Sequence, residues 1–376
     1  MSMNRHILTG LVVLALVAFS LGISGLHPAP AVWRHMLFAL GVLPMILGAM
    51  LYFVPVLTRT APAPHGMLWL PAAAAVLGVS TVIALTQQAS AVSWIAGLVL
   101  VVVLLEVGWV WRRRNRTLGS AHPGMYWYLA ALIALLLALV AVVLREAYWE
   151  YWPSLRNFHL HLNLLGFLGM TAIGTLRVLL PTALVITDAA AATYLRRFLP
   201  YAVIATASIA VGAAVWPPLS WFGAVVWLWP ALILLKGLRR DRLRCLGMHH
   251  AALALAAAAV GWLLIVAAGL AHGLALMNAD TLMRLLVFLF LLPLVTGASS
   301  YLLPLWRWPG QMTEAHAQMR AQLMRLSGVR VLAFYLSAGL ALLNIEGAQI
   351  PAMAALLGYL AQIGYAFQPR EGSPTV

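Results

Sequence analysis

Apolar runs of about 20 residues recur along the whole chain, separated by short polar segments. A run of this length suits a helix that crosses a bilayer, whereas the strands of a membrane barrel would alternate apolar and polar residues over roughly ten positions. The pattern therefore predicts an all-α integral membrane protein with about twelve transmembrane helices. We place them at residues 7–26, 35–57, 67–86, 91–111, 124–146, 157–184, 195–216, 218–237, 250–272, 282–304, 328–345 and 349–367.

Composition supports this prediction and limits the choice of partners. Hydrophobic residues make up 64% of the 376 positions and charged residues only 9%, whereas soluble domains carry roughly 25% charged residues. The net charge is +14, but most of the basic residues fall at one face if the N-terminus is cytoplasmic. This is the positive-inside pattern. It predicts a bacterial-type cytoplasmic membrane, cytoplasmic N- and C-termini, and a lipid bilayer rather than a nucleic acid as partner.

An internal repeat divides the predicted spans. A polar residue, a glycine and a proline recur at identical spacing as His35, Gly48 and Pro55, as His161, Gly174 and Pro181, and as Arg284, Gly297 and Pro304. The repeat predicts three pseudo-symmetric four-helix units, approximately 7–116, 124–244 and 249–367, within one transmembrane domain over residues 1–376. We expect the glycines to allow close helix packing and the prolines to stand at helix ends.

Two histidines occupy equivalent positions in the repeat. His35 and His161 open the second and sixth spans, and imidazoles from two helices are the axial ligands that a haem iron needs; copper also takes imidazole ligands. We therefore expect a haem b between them, with copper as a second candidate. His159 lies about 200° around the helix from His161, so it is assigned to a second metal site or a haem propionate. The alternative is that these histidines lie at the membrane surface and bind no metal.

Other polar residues could complete such a site. His272 ends the ninth span at the same face and is a candidate metal ligand, while His249 and His250 open it at the cytoplasmic side, as a separate metal site or as a solvated loop end. Arg284 takes the histidine position of the third unit. It could hold a haem propionate in a bidentate pair, or it could extend to the membrane surface.

Two charges fall inside apolar spans, where an unpaired charge is costly. Arg177 lies near the inner end of the sixth span, so its guanidinium is expected to reach the membrane surface. Glu106 lies in the fourth span, and we expect it to pair with a neighbouring arginine. Its alternative role is that of a carboxyl group on a proton path.

The helix endings GAMLYFVP and GASSYLLP, with His35 opening the second span, resemble the haem-ligating helix of haem–copper oxidase and nitric oxide reductase catalytic subunits. The resemblance implies twelve helices in three quartets, His35 as a low-spin haem ligand, and His161 or His159 as a metal ligand. The chain departs from that pattern because its seventh span has no histidine and its tenth carries Arg284. A complete binuclear centre is therefore not expected. The chain is more similar to the NnrS family of haem and copper membrane proteins associated with nitric oxide stress, although HMLF lacks the glutamate usual there.

The resulting hypothesis is a haem-binding, or haem–copper, membrane protein with a role in electron transfer, the nitric oxide response, or haem and metal handling. Its protein partner would be a redox partner or an oxidase-type subunit. If it is an enzyme, it is a membrane oxidoreductase. The alternatives are a small-solute transporter, which would bind its solute at mid-membrane, and a cofactor-free assembly or structural subunit.

Overall fold

The computed structural model describes residues 2–25, 29–236, 250–308 and 313–368, which form helices joined by short connections and contain no strand. We number the helices in chain order. They are α1 (Ser2–Ile23), α2 (Pro30–Thr58), α3 (His65–Thr86), α4 (Val92–Asn115), α5 (Gly124–Val143), α6 (Trp149–Ala183), α7 (Ala191–Val215), α8 (Pro217–Lys236), α9 (His250–Gly273), α10 (Ala279–Arg307), α11 (Glu314–Met324), α12 (Ser327–Leu342) and α13 (Ile350–Phe367).

Twelve helical segments in the described part of the chain are long and apolar enough to cross a membrane, and each overlaps one predicted span. The prediction of a multi-pass, all-α membrane protein is thereby confirmed. The boundaries differ where polar residues extend a helix beyond its apolar run. Helix α10 begins at Ala279 because the side chain of Asn278 accepts a hydrogen bond from the backbone N–H of Thr281, which caps the helix. The short helix α11, which precedes α12, was not predicted.

Helices α2, α6 and α10 each contain a π-helical segment. The segments are Met36–Val42, Leu162–Met170 and Leu286–Leu291. In α2 and α10 a proline follows the π turns closely, at Pro44 and Pro293. Proline has no N–H to donate and its ring clashes with the carbonyl of the preceding turn, so a locally widened helix accommodates it. π turns are rare and frequently mark functional sites.

The repeated glycines allow close packing against the preceding helix. A Cβ atom at Gly48 would lie 2.8 Å from Leu11 Cδ1 of α1, and one at Gly174 would lie 2.8 Å from Trp127 Cβ of α5. At Gly297 the nearest atom would be Ala254 Cβ of α9, at 3.0 Å. Each of these helices therefore packs closely against the preceding helix at a position where any residue larger than glycine would displace neighbouring atoms.

The repeated prolines lie inside the last turns of their helices. Pro55, Pro181 and Pro304 precede helix ends at Thr58, Ala183 and Arg307, whereas the sequence placed them at the ends themselves. Each proline lacks the N–H that would bond to the carbonyl four residues earlier, so each interrupts the hydrogen bonding of its helix just before the helix ends.

Arg177 of α6 does not extend to the membrane surface as predicted. Its side chain is buried, pairs with the carboxylate of Asp188 in the α6–α7 connection, and lies over the ring of Tyr194 at 5.2 Å. Asp188 also accepts a hydrogen bond from the N–H of Ala190. The connection therefore folds back over the end of α6 and neutralises a charge that the sequence left without a partner.

The contact between α9 and α10 gives a test of this packing. A Cβ atom at Gly261 would overlap the backbone carbonyl oxygen of Leu289, which belongs to the π segment of α10. Gly261→Ala should therefore lower the free energy of unfolding by about 1–3 kcal/mol, the usual cost of overpacking. Gly339→Ala in α12 is the matched control, because no atom lies within 4 Å of its new methyl group. Thermal unfolding of both variants in detergent measures the difference, and equal midpoints would contradict the packing.

Candidate metal centre at the histidine cluster

Four histidines lie in the first halves of α2 and α6 and at the end of α9, and we call His35, His159, His161 and His272 the histidine cluster. The rings of His35 and His159 have centroids 6.5 Å apart and planes inclined by only 12°. The structure thus brings His35 and His159 together as a pair.

Each ring in the histidine cluster is held by a backbone carbonyl through its Nδ1 atom. His35 Nδ1 lies 2.7 Å from Ala31 O, His159 Nδ1 lies 2.9 Å from Ala138 O of α5, His161 Nδ1 lies 2.8 Å from Asn157 O, and His272 Nδ1 lies 2.8 Å from Met277 O. A carbonyl oxygen only accepts hydrogen bonds, so Nδ1 carries the ring proton in each case. The lone pair is left on Nε2, the arrangement by which proteins orient histidines that bind metals.

Asn163 adds a further constraint on His159. Its side-chain Nδ2 donates a hydrogen bond to the backbone carbonyl of His159 at 2.8 Å, and it lies 3.3 Å from His159 Nδ1. Asn163 belongs to the π segment that begins directly after His161. The sequence did not single out Asn163 or Ala138, because neither a backbone acceptor on another helix nor a π turn leaves a distinct spacing signal.

The side chains of His35 and His159 are both half-buried. Within the described residues, no hydrogen bond engages the Nε2 atom of either ring. Two half-buried imidazoles whose Nε2 atoms have no hydrogen-bond partner in the described part of the chain are candidates for metal ligands.

The spacing of His35 and His159 suits a shared metal ion. Metal–imidazole bonds are about 2 Å long and a ring centre lies about 1 Å beyond its nitrogen, so imidazoles on opposite sides of one ion have centres about 6 Å apart. The observed distance between the ring centroids, 6.5 Å, is close to this value, and the two ring planes are inclined by 12° in a stacked contact. Among the described residues, no group of three or more His, Cys, Asp or Glu side chains is placed to hold a metal ion.

The other predicted site residues are distributed as follows. Arg284 of α10 is exposed. The cation beside the first pair is Arg34, which precedes His35 and forms an ion pair with Asp280 of α10 at 2.6 Å. His249 and the side chain of His250 lie outside the described residues.

The sequence favoured His161 as the partner of His35, whereas the ring that faces His35 is that of His159.

Comparison with known proteins finds no family model, no curated protein and no solved structure that matches this chain. The chemistry of the histidine cluster therefore has to be inferred from its own geometry.

Proposed function

We propose that this chain is a haem-binding membrane protein in which His35 of α2 and His159 of α6 would hold a haem b through their imidazoles. The observation that carries the proposal is the pair of near-parallel imidazoles 6.5 Å apart, each oriented through Nδ1 by a backbone carbonyl. A bound haem would supply one-electron redox chemistry. The two histidines would hold it, and the helices around them would keep bulk water from it.

The number of protein ligands favours haem over a bare metal ion. A haem iron takes four ligands from the porphyrin and needs only one or two from the protein, which is what the pair His35 and His159 offers. Arg34 lies next to His35 and is engaged by Asp280, whose side chain is 61% exposed. An exposed ion pair contributes little to stability, so this guanidinium can be redirected to a haem propionate at small cost.

We assign His161 and His272 to a second, independent pair, for which copper is the candidate metal. Both rings have Nδ1 bonded to a carbonyl and Nε2 available, and copper is a good partner for imidazole. Because His159 and His161 lie on different sides of α6, the helix can present one ligand to each pair. The complete binuclear centre of a terminal oxidase is not part of the proposal, since α7 contains no histidine.

The proposal includes three pseudo-symmetric quartets, as in the haem–copper oxidase and NnrS families. Three equivalent contacts support it: α2 with α5, α6 with α9, and α10 with α1. The π segments occupy related positions in α2, α6 and α10, and the glycines at 48, 174 and 297 pack against α1, α5 and α9 respectively. We place the protein in a cytoplasmic membrane with both termini on the cytoplasmic side, on the positive-inside pattern.

The role that fits such a centre is electron transfer, a response to nitric oxide, or the handling of haem or metal, with a redox protein or an oxidase-type subunit as partner.

The full-length protein should be purified from cells grown with a haem precursor and copper. A reduced-minus-oxidised spectrum and a metal analysis are then recorded. We expect the Soret and α bands of a b-type haem at about one haem per chain. A folded, monodisperse protein with neither haem nor copper would contradict the proposal.

A further inference from the structure

Glu106 is a fully buried carboxyl group within the membrane-spanning helix α4. Its side chain has 0% exposure, and neither carboxyl oxygen has a hydrogen-bond partner in the described part of the chain. The ion pairs found there use Asp280, Glu146 and Asp188 as their acids. The arginine partner expected from the sequence is therefore not found among these residues.

The same face of α4 is apolar around Glu106. Val99, Val103 and Val110 lie two turns before, one turn before and one turn after it, and all three are buried. Helix α4 packs against α2, α3 and α5. A carboxylate in these surroundings would lose its hydration without gaining a counter-charge, whereas the neutral acid would lose much less. Burial without a cation therefore selects the protonated form.

Two side chains with polar groups follow Glu106 along α4. One turn further along, the buried indole Nε1 of Trp109 also has no hydrogen-bond partner. One turn beyond that, the guanidinium of Arg113 lies over the Trp109 ring at 5.4 Å, and it donates hydrogen bonds to Ala61 O at 2.8 Å and Pro62 O at 3.2 Å. Trp109 and Arg113 thus stand at successive turns between Glu106 and the end of α4, which lies beside the connection after α2.

We propose that Glu106 is a proton-binding site that exchanges its proton with the aqueous side at which α4 ends. The ligand is the proton itself: the carboxylate oxygen binds it on loading and releases it to water on unloading. An ionisable residue inside a membrane span is a candidate functional site for this reason. The site is separate from the histidine cluster, and it does not depend on a bound metal.

An apolar carbodiimide tests the proposal because it adds to a protonated carboxyl group in an apolar environment. Full-length protein in lipid is treated at neutral pH with dicyclohexylcarbodiimide or with a water-soluble carbodiimide, and the peptides are mapped by mass spectrometry. We expect Glu106 to be modified by the apolar reagent at least about tenfold faster than by the water-soluble one. Glu106→Gln should lose this modification, whereas Glu146→Gln, at an exposed position, should keep it. An unmodified Glu106, or equal rates with both reagents, would overturn the proposal.

Infrared spectroscopy provides a test that needs no chemical labelling. The wild-type protein should show the C=O stretch of a protonated carboxylic acid that is missing in Glu106→Gln, and transfer into D₂O should shift it as the proton exchanges. If Glu106→Gln does not fold, Glu106→Asp serves instead, with a displaced band expected. A band that is absent, or that does not respond to D₂O in protein kept at room temperature overnight, would show that the residue does not bind an exchangeable proton.

Discussion

Replacing His159 by alanine is expected to lower the haem content of the purified protein by at least about tenfold, because loss of even an outer-shell partner of a metal ligand commonly costs 10–100-fold in affinity. The substitution removes one of the two imidazoles whose rings lie 6.5 Å apart, together with the hydrogen bond to Ala138 O. His35→Ala should have an effect of the same size. The measurement is the Soret absorbance per chain in freshly purified protein.

Two further substitutions make this result specific. His65→Ala removes an exposed histidine at the start of α3 and should leave the haem content unchanged. His161→Ala should also leave the haem in place, because His161 is assigned to the pair with His272. If His161→Ala removed the Soret band while His159→Ala kept it, the pairing favoured by the repeat in the sequence would be right and the pairing inferred from the ring geometry would be wrong.

Replacing Asp188 by alanine should destabilise the protein strongly. The side chains of Arg177 and Asp188 are only 9% and 4% exposed, and removal of one partner leaves a buried guanidinium without its counter-charge. Breaking a buried pair in this way typically costs about 3–5 kcal/mol. Unfolding in detergent, followed by circular dichroism as temperature or denaturant rises, should show the loss.

A solvent-exposed pair is the matched control for Asp188→Ala. Arg145 Nε lies 3.6 Å from Glu146 Oε1, and the Glu146 side chain is 54% exposed. Glu146→Ala should therefore change the free energy of unfolding by no more than about 1 kcal/mol. The double variant Arg177→Met/Asp188→Leu should recover much of the stability lost in Asp188→Ala, because no charge is then left buried. Similar losses of stability in Asp188→Ala and Glu146→Ala would show that the loss in Asp188→Ala does not come from breaking the buried Arg177–Asp188 pair.

The architecture could be predicted from the sequence because apolar length alone identifies a membrane-spanning helix. The close packing at Gly48, Gly174 and Gly297 could also be predicted, because their spacing from the polar residues is the same in each unit. The π segments were missed. Pro44 and Pro293, inside apolar runs, were the available signals in α2 and α10, whereas the π segment of α6 is followed by Thr171 and has no such proline.

The side-chain partners could be predicted only in part. Helical geometry indicated that His159 and His161 point to different sides of α6, but not which of them would face His35, since that depends on how α2 and α6 are rotated in the bundle. The same limit applies to Arg177, whose partner Asp188 becomes a neighbour only when the α6–α7 connection folds back. Glu106 shows the opposite case, in which an expected partner is missing in the described part of the chain.

A cryo-electron-microscopy map of the full-length protein in lipid nanodiscs, purified with its haem content intact, tests the central claim most directly. We predict a planar density between α2 and α6, joined on one side to Nε2 of His35 and on the other to Nε2 of His159. A map in which ordered side chains fill the space between these two rings, or in which a bound haem is held by other residues, would contradict the proposed centre.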